Sequence, residues 1–290
     1  MSQEKDFRWR KIKREDLQSA TNMLVDNEEN YVSACGRFLA RTAGDPVWVL
    51  SDKKGEITAL AVNSRSSLIP VLGMGKFSAS TKKENLMPDF PGNFLRKKMI
   101  HSLQGLKNEV VLFEKAMEKT GRKITDKFDY DLMSLDSHPD RNNFKSGPAN
   151  LVFRVPGLVD LDRITPLQAA YEKEEVIPAG SAFNPAASRA STSNIIANGM
   201  ILAAELNGRF VGKIHVNAVS FTRYQIGGVY IHPDFRGLGI GRRMTAEFIT
   251  SLLNESRGVT LFVKKNNMAA QRLYKGLGFT VKGDYRITYY

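Results

Sequence analysis

The chain is poor in cysteine, since Cys35 is the only cysteine among its 290 residues. A lone thiol excludes an intramolecular disulfide framework and a metal site built from clustered cysteines, and it is typical of a reducing compartment. No run approaches the roughly 18 consecutive apolar residues that a membrane span needs. The opening residues, MSQEKDFRWR, carry charges in place of an apolar segment, so no signal peptide is expected there. These absences predict a cytoplasmic protein with no resident metal and no membrane partner.

Long basic runs are missing as well, although Lys and Arg (42) exceed Asp and Glu (30) by 12. Residues 1–150 carry 25 basic and 20 acidic residues, and residues 151–290 carry 17 and 10, so the excess is +5 in one half and +7 in the other. Nucleic-acid-binding surfaces usually concentrate basic residues in a patch with aromatic residues among them. The even spread gives no indication of a nucleic-acid partner and is compatible with a small acidic ligand.

Composition and length predict a folded protein of two parts. Hydrophobic residues make up 42% of the chain, which is enough for a packed core, and 290 residues fit one large domain or two ordinary ones. The segment 136–151, DSHPDRNNFKSGPANL, concentrates Pro, Gly, Asn, Ser and Asp and is the best linker candidate. We therefore expect two mixed α/β domains, residues 1–140 and 154–290, joined by a linker over 141–153.

The C-terminal half shows a clear succession of helix and strand signals. Asn207-Gly208 lies between two strand-like runs and favours a hairpin, because both turn positions need positive φ. Pro166 is expected in the first turn of a helix, where its missing N–H is tolerated. The predicted elements are helices over Ile164–Glu175 and from Asn184-Pro185 to Gly199, a hairpin of Met200–Leu206 and Arg209–Val219, strands at Gln225–His232 and Thr260–Val263, helices at Gly241–Leu253 and Met268–Gly276, and a terminal pair of strands within Phe279–Tyr289 that turns at Gly283-Asp284.

The N-terminal half has a similar rhythm. Its predicted elements are helices at Arg14–Asp26 and Asn108–Thr120 and strands at Pro46–Leu50, Glu56–Asn63 and Ser67–Leu72. The two halves share the order helix, hairpin, strand, helix, which suggests a duplicated fold.

One stretch, Val229–Arg243 with the sequence VYIHPDFRGLGIGRR, carries the chemistry. It predicts a strand, then a glycine-rich loop, then the start of a helix. The first amides of a helix have no internal partner and carry the positive end of its dipole. Glycines let an anion approach those amides, and Arg236, Arg242 and Arg243 add positive charge. The stretch therefore predicts a binding site for a diphosphate group.

Two common nucleotide-binding motifs do not fit this loop. It lacks the lysine of G-x-x-x-x-G-K-[ST], and it lacks G-x-G-x-x-G followed by an acidic residue about 20 positions later. A second motif follows about 30 residues downstream: Leu261-Phe262-Val263, then Asn267 to Tyr274, then Gly278-Phe279. The two motifs together, rather than the glycine loop alone, indicate which diphosphate carrier binds.

The pair resembles the GNAT superfamily of N-acetyltransferases. Arg236 to Gly241, R-G-L-G-I-G, is similar to the acyl-CoA signature Q/R-x-x-G-x-G/A of that superfamily, and the downstream run resembles its N-x-x-A-x-x-L-Y motif. The resemblance covers about residues 155–290. The whole chain resembles tandem members in which a degenerate N-terminal copy precedes a complete one, so the implied fold is two mixed-sheet domains with flanking helices.

The resemblance implies an acetyl-CoA site in the C-terminal half. Val229 to Pro233 resembles the fourth strand of the superfamily, and its backbone at Val229 and Ile231 is expected to pair with the pantetheine arm in a gap beside Thr260–Val263. The glycine loop is expected to hold the pyrophosphate. Tyr274 is expected to protonate the departing thiolate, because a phenol is neutral at pH 7; a core aromatic is the alternative interpretation. The residues implied to bind acetyl-CoA are Val229, Tyr230, Ile231, Arg236, Gly237, Leu238, Gly239, Ile240, Gly241, Arg242, Asn267 and Ala270.

Acetyl transfer to an amine also needs a group that removes a proton from the acceptor ammonium. Many relatives use a glutamate near the fourth strand, but this chain has Gln225-Ile226-Gly227-Gly228 there, without a carboxylate. Our choice is Glu175, at the end of the first C-terminal helix. Glu174, Glu205 and His215 are alternatives, and each of the four could instead have a structural role.

The N-terminal half lacks a counterpart of the glycine loop, since Gly73-Met74-Gly75-Lys76-Phe77 matches too little of it and is interpreted as a turn. We expect this half to bind no cofactor and to shape the acceptor cleft. The leading hypothesis is direct acetyl transfer from acetyl-CoA to a primary amine, either a small amine or an amino-acid-like metabolite. A protein N-terminus or lysine is the second acceptor class, and a non-catalytic acyl-CoA sensor is the alternative to an enzyme. Cys35 lies outside the motif-bearing half, which argues against a covalent thiol intermediate.

Overall fold

The computed structural model describes residues 7–42, 45–64, 66–73, 90–97, 100–140, 147–178 and 180–290. The turn expected at Gly75 and residues 141–146 of the expected linker lie outside these ranges. The described strands are β1 (Phe7–Lys11), β2 (Val47–Asp52), β3 (Ile57–Ser64), β4 (Ser67–Val71), β5 (Ser102–Leu106), β6 (Asp126–Leu135), β7 (Leu151–Arg154), β8 (Ile201–Leu206), β9 (Arg209–Val219), β10 (Arg223–Ile231), β11 (Gly258–Lys264) and β12 (Thr280–Tyr289). The described α-helices are α1 (Leu17–Asp26), α2 (Glu28–Leu39), α3 (Gly92–Lys97), α4 (Lys107–Glu118), α5 (Leu161–Tyr171), α6 (Pro185–Ala197), α7 (Ile240–Leu253) and α8 (Met268–Gly276).

The strands form one mixed sheet in the order β1-β2-β3-β4-β5-β12-β6-β11-β10-β9-β8-β7. The two halves of the chain exchange strands at the centre of this sheet. β12 comes from the C-terminal half but pairs with β5 on one side and β6 on the other. β6 comes from the N-terminal half but pairs with β11 on its other side. The expected mixed α/β architecture is confirmed, and the sheet runs without a break through both halves.

Three residues of the expected linker lie in a strand. Leu151, Val152 and Phe153 were assigned to the linker, but they belong to β7 and pair with Leu206, Glu205 and Ala204 of β8. Residue 151 therefore opens the C-terminal half. The composition of residues 136–151 shows where the chain turns, but it does not show which strands complete which part of the sheet.

The predicted hairpin is confirmed, since Asn207 and Gly208 both adopt positive φ, +49° and +79°, between β8 and β9. The prediction of a terminal pair of strands is wrong. Thr280–Tyr289 is one strand, and the irregularity between Val281 and Gly283 is a bulge. Pairing with β6 over almost the whole length of β12 holds this segment straight, so Gly283-Asp284 does not turn.

The position expected for Pro166 is also wrong, because it is the sixth residue of α5 rather than a first-turn residue. The helix begins earlier than its apolar spacing indicates. A short 3-10 turn at Leu158–Asp160 precedes it, and the Asp160 carboxylate accepts hydrogen bonds from the Gly157 amide and from Arg154. A π-helical turn, Glu172–Val176, continues α5 at its other end.

Helices cover both faces of the sheet. α7 and α8 pack on the face that buries Ala204, Val211 and Leu261. α5 packs on the opposite face, and α1 and α2 lie on that same opposite face, where they contact Phe262, the neighbour of Leu261. Within the described ranges, every helix is too short or too polar to span a bilayer.

α2 ties the N-terminal half to the C-terminal strands. At its start, the buried Glu28 carboxylate accepts hydrogen bonds from the Thr222 amide and hydroxyl, both at 2.6 Å, and from the Ser220 hydroxyl. Further along, the Ser33 hydroxyl donates to the Gln225 side chain of β10. These contacts fix α2 against β9 and β10, which carry the motif-bearing part of the chain.

Candidate active site

β10 and β11 separate after a short paired stretch, as the resemblance implied. The two strands run parallel and pair only from Arg223 to Gln225, opposite Gly258 to Thr260. Beyond Gln225, the other edge of β10 continues to pair with β9 as far as Ile231. The edge of Ile226–Ile231 that faces β11 is therefore available to an extended ligand, which could add to it as a further strand.

A bulge interrupts β10 at Gly228, between the pairs formed by Gly227 and Tyr230. Gly228 has φ of +59°, a left-handed conformation that favours glycine. A side chain holds its peptide group: Lys213 Nζ donates to the Gly228 carbonyl oxygen at 2.9 Å. The bend in β10 thus has a fixed geometry next to the separation.

The glycine loop follows β10 as predicted, and α7 begins at Ile240, one residue before the expected Gly241. Gly237 and Gly239 have φ of +80° and +75°. A β-carbon built on Gly239 would meet no atom within 4 Å, so the space in front of the loop is open. The first amides of α7 have no partner within the helix, and together these features fit a diphosphate group.

Two predicted arginines flank this loop. Arg236 donates to the Ile231 carbonyl at 3.0 Å and to the Glu174 carboxylate at 2.8 Å. Arg242 donates to the Gly276 carbonyl at the end of α8 at 2.8 Å. Both guanidinium groups are thereby held beside the loop, and Arg236 forms an ion pair with Glu174.

α8 brings three of the predicted residues to the separation. Asn267 caps this helix through its side-chain oxygen, which accepts from the Ala270 amide at 3.0 Å. Its side-chain nitrogen donates to Glu175 at 3.2 Å. Tyr274, one turn after Ala270, is buried against Phe279, with ring centroids 5.8 Å apart. Burial raises the pKa of Tyr274 well above its usual range, and nearby Tyr171 and Glu175 raise it further, so the phenol keeps its proton.

A cavity of about 680 Å³ lies at the separation, and residues of α2 form part of its wall. Tyr274, Glu175, Asn267, Ala270 and Val229 all line it. The structure therefore brings the two residues predicted to be catalytic into one space with part of the predicted cosubstrate site. The remaining predicted binding residues, which lie outside the lining, are Tyr230, Ile231, Arg236, Gly237, Leu238, Gly239, Ile240, Gly241 and Arg242.

The side chain of Tyr230, one of the predicted binding residues, is buried outside the cavity. Its ring is buried with Ile164 and Phe210 under α5, on the face opposite to α7. Strand alternation causes this, because Val229 and Ile231 point to the other face. Only the backbone of Tyr230 could therefore contact a ligand at this edge.

The four candidate bases have different surroundings. Glu175 lines the cavity and pairs with Lys264 Nζ at 3.1 Å. Glu174 pairs with Arg236 near the glycine loop, and Glu205 is held by two arginines on β7 and α5, outside the cavity lining. His215 is buried beside Lys213, and this burial, together with the lysine charge, lowers its pKa well below 6.5. Among these four candidates, Glu175 is the one that faces the space where an acceptor could lie.

Sequence reasoning expected the N-terminal half to shape the acceptor cleft but missed which of its residues line the cavity. α2 contributes Ser33, Gly36 and Arg37, and β5 contributes Gln104. Apolar residues of α2 recur at helical spacing (Tyr31, Cys35 and Phe38), which could have revealed the helix but not its place over β10. Cys35 itself is fully buried, and burial raises its pKa, so this thiol is not a nucleophile.

The comparisons with known proteins agree with the geometry. A model of the acetyltransferase (GNAT) family matches residues 167–279. The mycothiol acetyltransferase of Thermobispora bispora is 41% identical over 87 residues, which cover 27% of this chain. The matched part spans only 28% of that relative's length.

Solved structures resemble almost the whole chain. The GCN5-related N-acetyltransferase of Sphaerobacter thermophilus is 18% identical with a TM-score of 0.58, and the match covers 99% of this chain and 96% of that one. A tandem GNAT protein from the clavulanic acid biosynthesis pathway is 13% identical with a TM-score of 0.62, and 98% of each chain is covered. At these identities the likeness shows a shared fold.

Proposed function

We propose, on the premise that a model of the acetyltransferase (GNAT) family matches residues 167–279, that the protein transfers an acetyl group from acetyl-CoA to a primary amine. We further propose that the amine attacks the thioester directly and that the acceptor is a small amine or an amino-acid-like metabolite. The observation that carries the proposal is that Tyr274 and Glu175 line one cavity at the separation of β10 and β11.

Three parts of the chain would hold acetyl-CoA. The free edge of β10, including the backbone of Val229 and Ile231, would pair with the pantetheine amides. The loop from Gly237 to Gly241 would receive the pyrophosphate on its backbone amides, with Arg236 and Arg242 at its sides. Asn267 and Ala270 would border the arm from α8, because both line the cavity.

Two side chains would move the protons of the reaction. As the carbon–nitrogen bond forms and the carbon–sulfur bond breaks, the amine loses a proton and the sulfur gains one. Glu175 would accept the amine proton, directly or through water, because it is the carboxylate that faces the cavity. Tyr274 would donate its proton to the sulfur, since its raised pKa keeps the phenol protonated throughout the neutral range.

The shape of the cavity supports a small acceptor. α2 lies over the side of the separation away from α7 and α8, and Ser33 and Arg37 of this helix line the space. A protein N-terminus or lysine would have to enter beside this helix. A non-catalytic acyl-CoA sensor would need only the cosubstrate site, so it gives no reason for Glu175 to face the cavity.

The test is a screen of amines and peptides with acetyl-CoA, measured by release of free thiol. We expect turnover with small amines and at least a tenfold lower rate in Tyr274→Phe with acetyl-CoA binding largely kept. Tyr224→Phe, on β10 but outside this cavity, is the matched control and should behave like the natural protein. Tight acetyl-CoA binding with no turnover, and no effect of Tyr274→Phe, would favour the sensor.

A further inference from the structure

Five aromatic side chains line the proposed active-site cavity, and each comes from a different element of the fold. They are Tyr130 of β6, Tyr171 of α5, Phe262 of β11, Tyr274 of α8 and Tyr289 of β12. The reaction proposed above gives a role to Tyr274 alone. The other four therefore require a separate explanation, and two of them come from the strands that the two halves exchange.

Three of these side chains share one face of the sheet. Tyr130 lies directly opposite Lys264 across the β6–β11 pair and opposite Tyr285 across the β6–β12 pair. Phe262 and Tyr289 occupy alternate positions along those partner strands, so their side chains point to the same face as Tyr130. This is the face on which α2 and α5 pack. Tyr130, Phe262 and Tyr289 thus form an aromatic floor of the cavity.

Tyr171 and Glu175 lie next to this aromatic floor, at the end of α5 and in the π-helical turn that continues it. Burial is the main cause of a raised pKa at Tyr130 and at Tyr171, and Glu175 and Tyr289 each raise the pKa of both phenols further. Because both phenols respond to the same two groups, the four side chains lie close together. The aromatic floor and Tyr171 therefore border the space beside the proposed base.

The groups around this space favour an uncharged aromatic ring. The phenols keep their protons at neutral pH, and Lys264, the neighbour of Tyr130, is paired with Glu175 at 3.1 Å. A ligand ring can pack edge to face or in an offset stack against tyrosine and phenylalanine, and such contacts add to the gain from buried apolar area. The nitrogen that Glu175 would deprotonate lies here, so the group attached to that nitrogen would contact the aromatic floor.

Building on the proposed function, we infer that the acceptor is a primary amine joined to an aromatic ring by a short chain, and that Tyr130, Tyr171 and Tyr289 determine this specificity. The ring would lie between the aromatic floor and Tyr171, and the amine would point toward Glu175 and the gap between β10 and β11. Tyr274 packs on the opposite face of the sheet. Acceptor recognition and proton donation to the sulfur would thus take place on different sides of the gap.

The test compares matched amines on the full-length protein. 2-Phenylethylamine, 2-cyclohexylethylamine and ethanolamine are assayed by thiol release with acetyl-CoA, and binding of 2-phenylethylamine is measured by calorimetry. The first two amines have rings of similar size, and they differ in whether the ring is aromatic. We expect KM to be lowest for 2-phenylethylamine and highest for ethanolamine.

Variants of the aromatic floor show whether the tyrosines cause this preference. Tyr130→Leu and Tyr289→Leu keep an apolar side chain but remove the ring, so each should raise the KM for 2-phenylethylamine about two- to tenfold, with kcat and the KM for 2-cyclohexylethylamine changed much less. Tyr289→Phe replaces the ring and should restore most of the preference. Tyr290→Leu is the matched control, because Tyr290 packs against the N-terminal core outside the cavity lining. Acetyl-CoA affinity should be the same in all of these proteins.

The outcomes separate this inference from the proposed function. Turnover with equal KM for the phenyl and cyclohexyl amines, or a preference that neither leucine variant changes, would overturn the aromatic acceptor site and leave the acetyltransferase proposal intact. Turnover of peptides alone would do the same. Binding of 2-phenylethylamine that weakens in Tyr289→Leu, without thiol release, would support the aromatic site and contradict the enzyme. Absence of both binding and turnover for every amine would overturn both.

Discussion

Lys213 Nζ donates a hydrogen bond of 2.9 Å to the carbonyl oxygen of Gly228, at the bulge that bends β10 away from β11. Lys213 is almost completely buried, and burial lowers its pKa from 10.5 to about 7. The bend that opens the proposed cosubstrate site is thus held by a lysine whose protonated form is unfavourable in the folded protein.

This relationship predicts how stability depends on pH. Between pH 7 and 10 the unfolded chain binds a proton at Lys213 that the folded chain does not, so acidification favours unfolding. Compared with Lys213→Met, the natural protein should lose roughly 1.4 kcal/mol of unfolding free energy per pH unit as pH falls from 10 toward 8, and the difference should level off below 7. Urea unfolding of both proteins across this range is the measurement.

The exposed Lys275 provides the control for Lys213, since Lys275→Met should unfold with the same pH dependence as the natural protein. A pH-independent difference between Lys213→Met and the natural protein would show that Lys213 remains charged in the folded state.

A carboxylate in the glycine loop should abolish acetyl-CoA binding. Gly239→Asp would place a negative charge in the open space where we propose the pyrophosphate lies, and φ of +75° adds strain. Gly55→Asp carries the same side chain at φ of +84°, also in open space, within the turn between β2 and β3. We expect calorimetry to show binding in Gly55→Asp and none in Gly239→Asp, with both proteins folded by circular dichroism. Equal affinity in the two variants would refute the diphosphate site.

Removal of the carboxylate at Glu175 should slow transfer without weakening acetyl-CoA binding. Glu175→Gln keeps the shape and the hydrogen bond with Asn267 but cannot accept the amine proton. We expect kcat with a good amine to fall at least tenfold at neutral pH and to recover partly at higher pH, where more of the amine is already deprotonated. The neighbouring variant Glu174→Gln frees Arg236 from its ion pair and should retain kcat. Full activity of Glu175→Gln would assign the proton to water or another group.

Strand exchange predicts that neither half folds alone. Arg286 of β12 donates to Asp129 of β6 at 2.7 Å and to Glu114 of α4 at 3.3 Å, so the C-terminal strand supplies a buried ion-pair network to the N-terminal half. Residues 1–140 and 147–290 expressed separately should be insoluble or largely unfolded, whereas co-expression should yield a complex with native circular dichroism. A cooperative thermal transition from either fragment alone would contradict this prediction. Arg286→Met in the full chain should lower stability by about 3 kcal/mol, because the buried Glu114 carboxylate loses this arginine, whereas Asp129 keeps its ion pair with Lys107.

The sequence predicted those elements whose signals are local. Asn207-Gly208 marks its hairpin and Asn184-Pro185 the start of its helix through the residues themselves, and the structure has both. The final strand was misread because Gly283-Asp284 is a turn signal only for an isolated segment. Its straight course depends on β6, which lies far away in the chain, and pairing of this kind leaves no mark on neighbouring residues.

The same difference between local signals and long-range contacts applies to the candidate site. The cosubstrate motif is contiguous, so Val229–Arg243 could be read directly as strand, loop and helix. The residues that α2 contributes to the cavity could not be found in that way, because their position depends on α2 crossing over β10. Contacts such as that between Glu28 and Thr222 determine this crossing, and they join residues almost two hundred positions apart.

β12 is synthesised after every strand with which it pairs. Until β12 has been made, the position between β5 and β6 is empty. The edges of these two strands then present unpaired backbone groups to other nascent proteins. The N-terminal half therefore cannot complete its sheet until Thr280–Tyr289 has been synthesised. Cells that make this protein quickly should need chaperones that cover the exposed edges of β5 and β6.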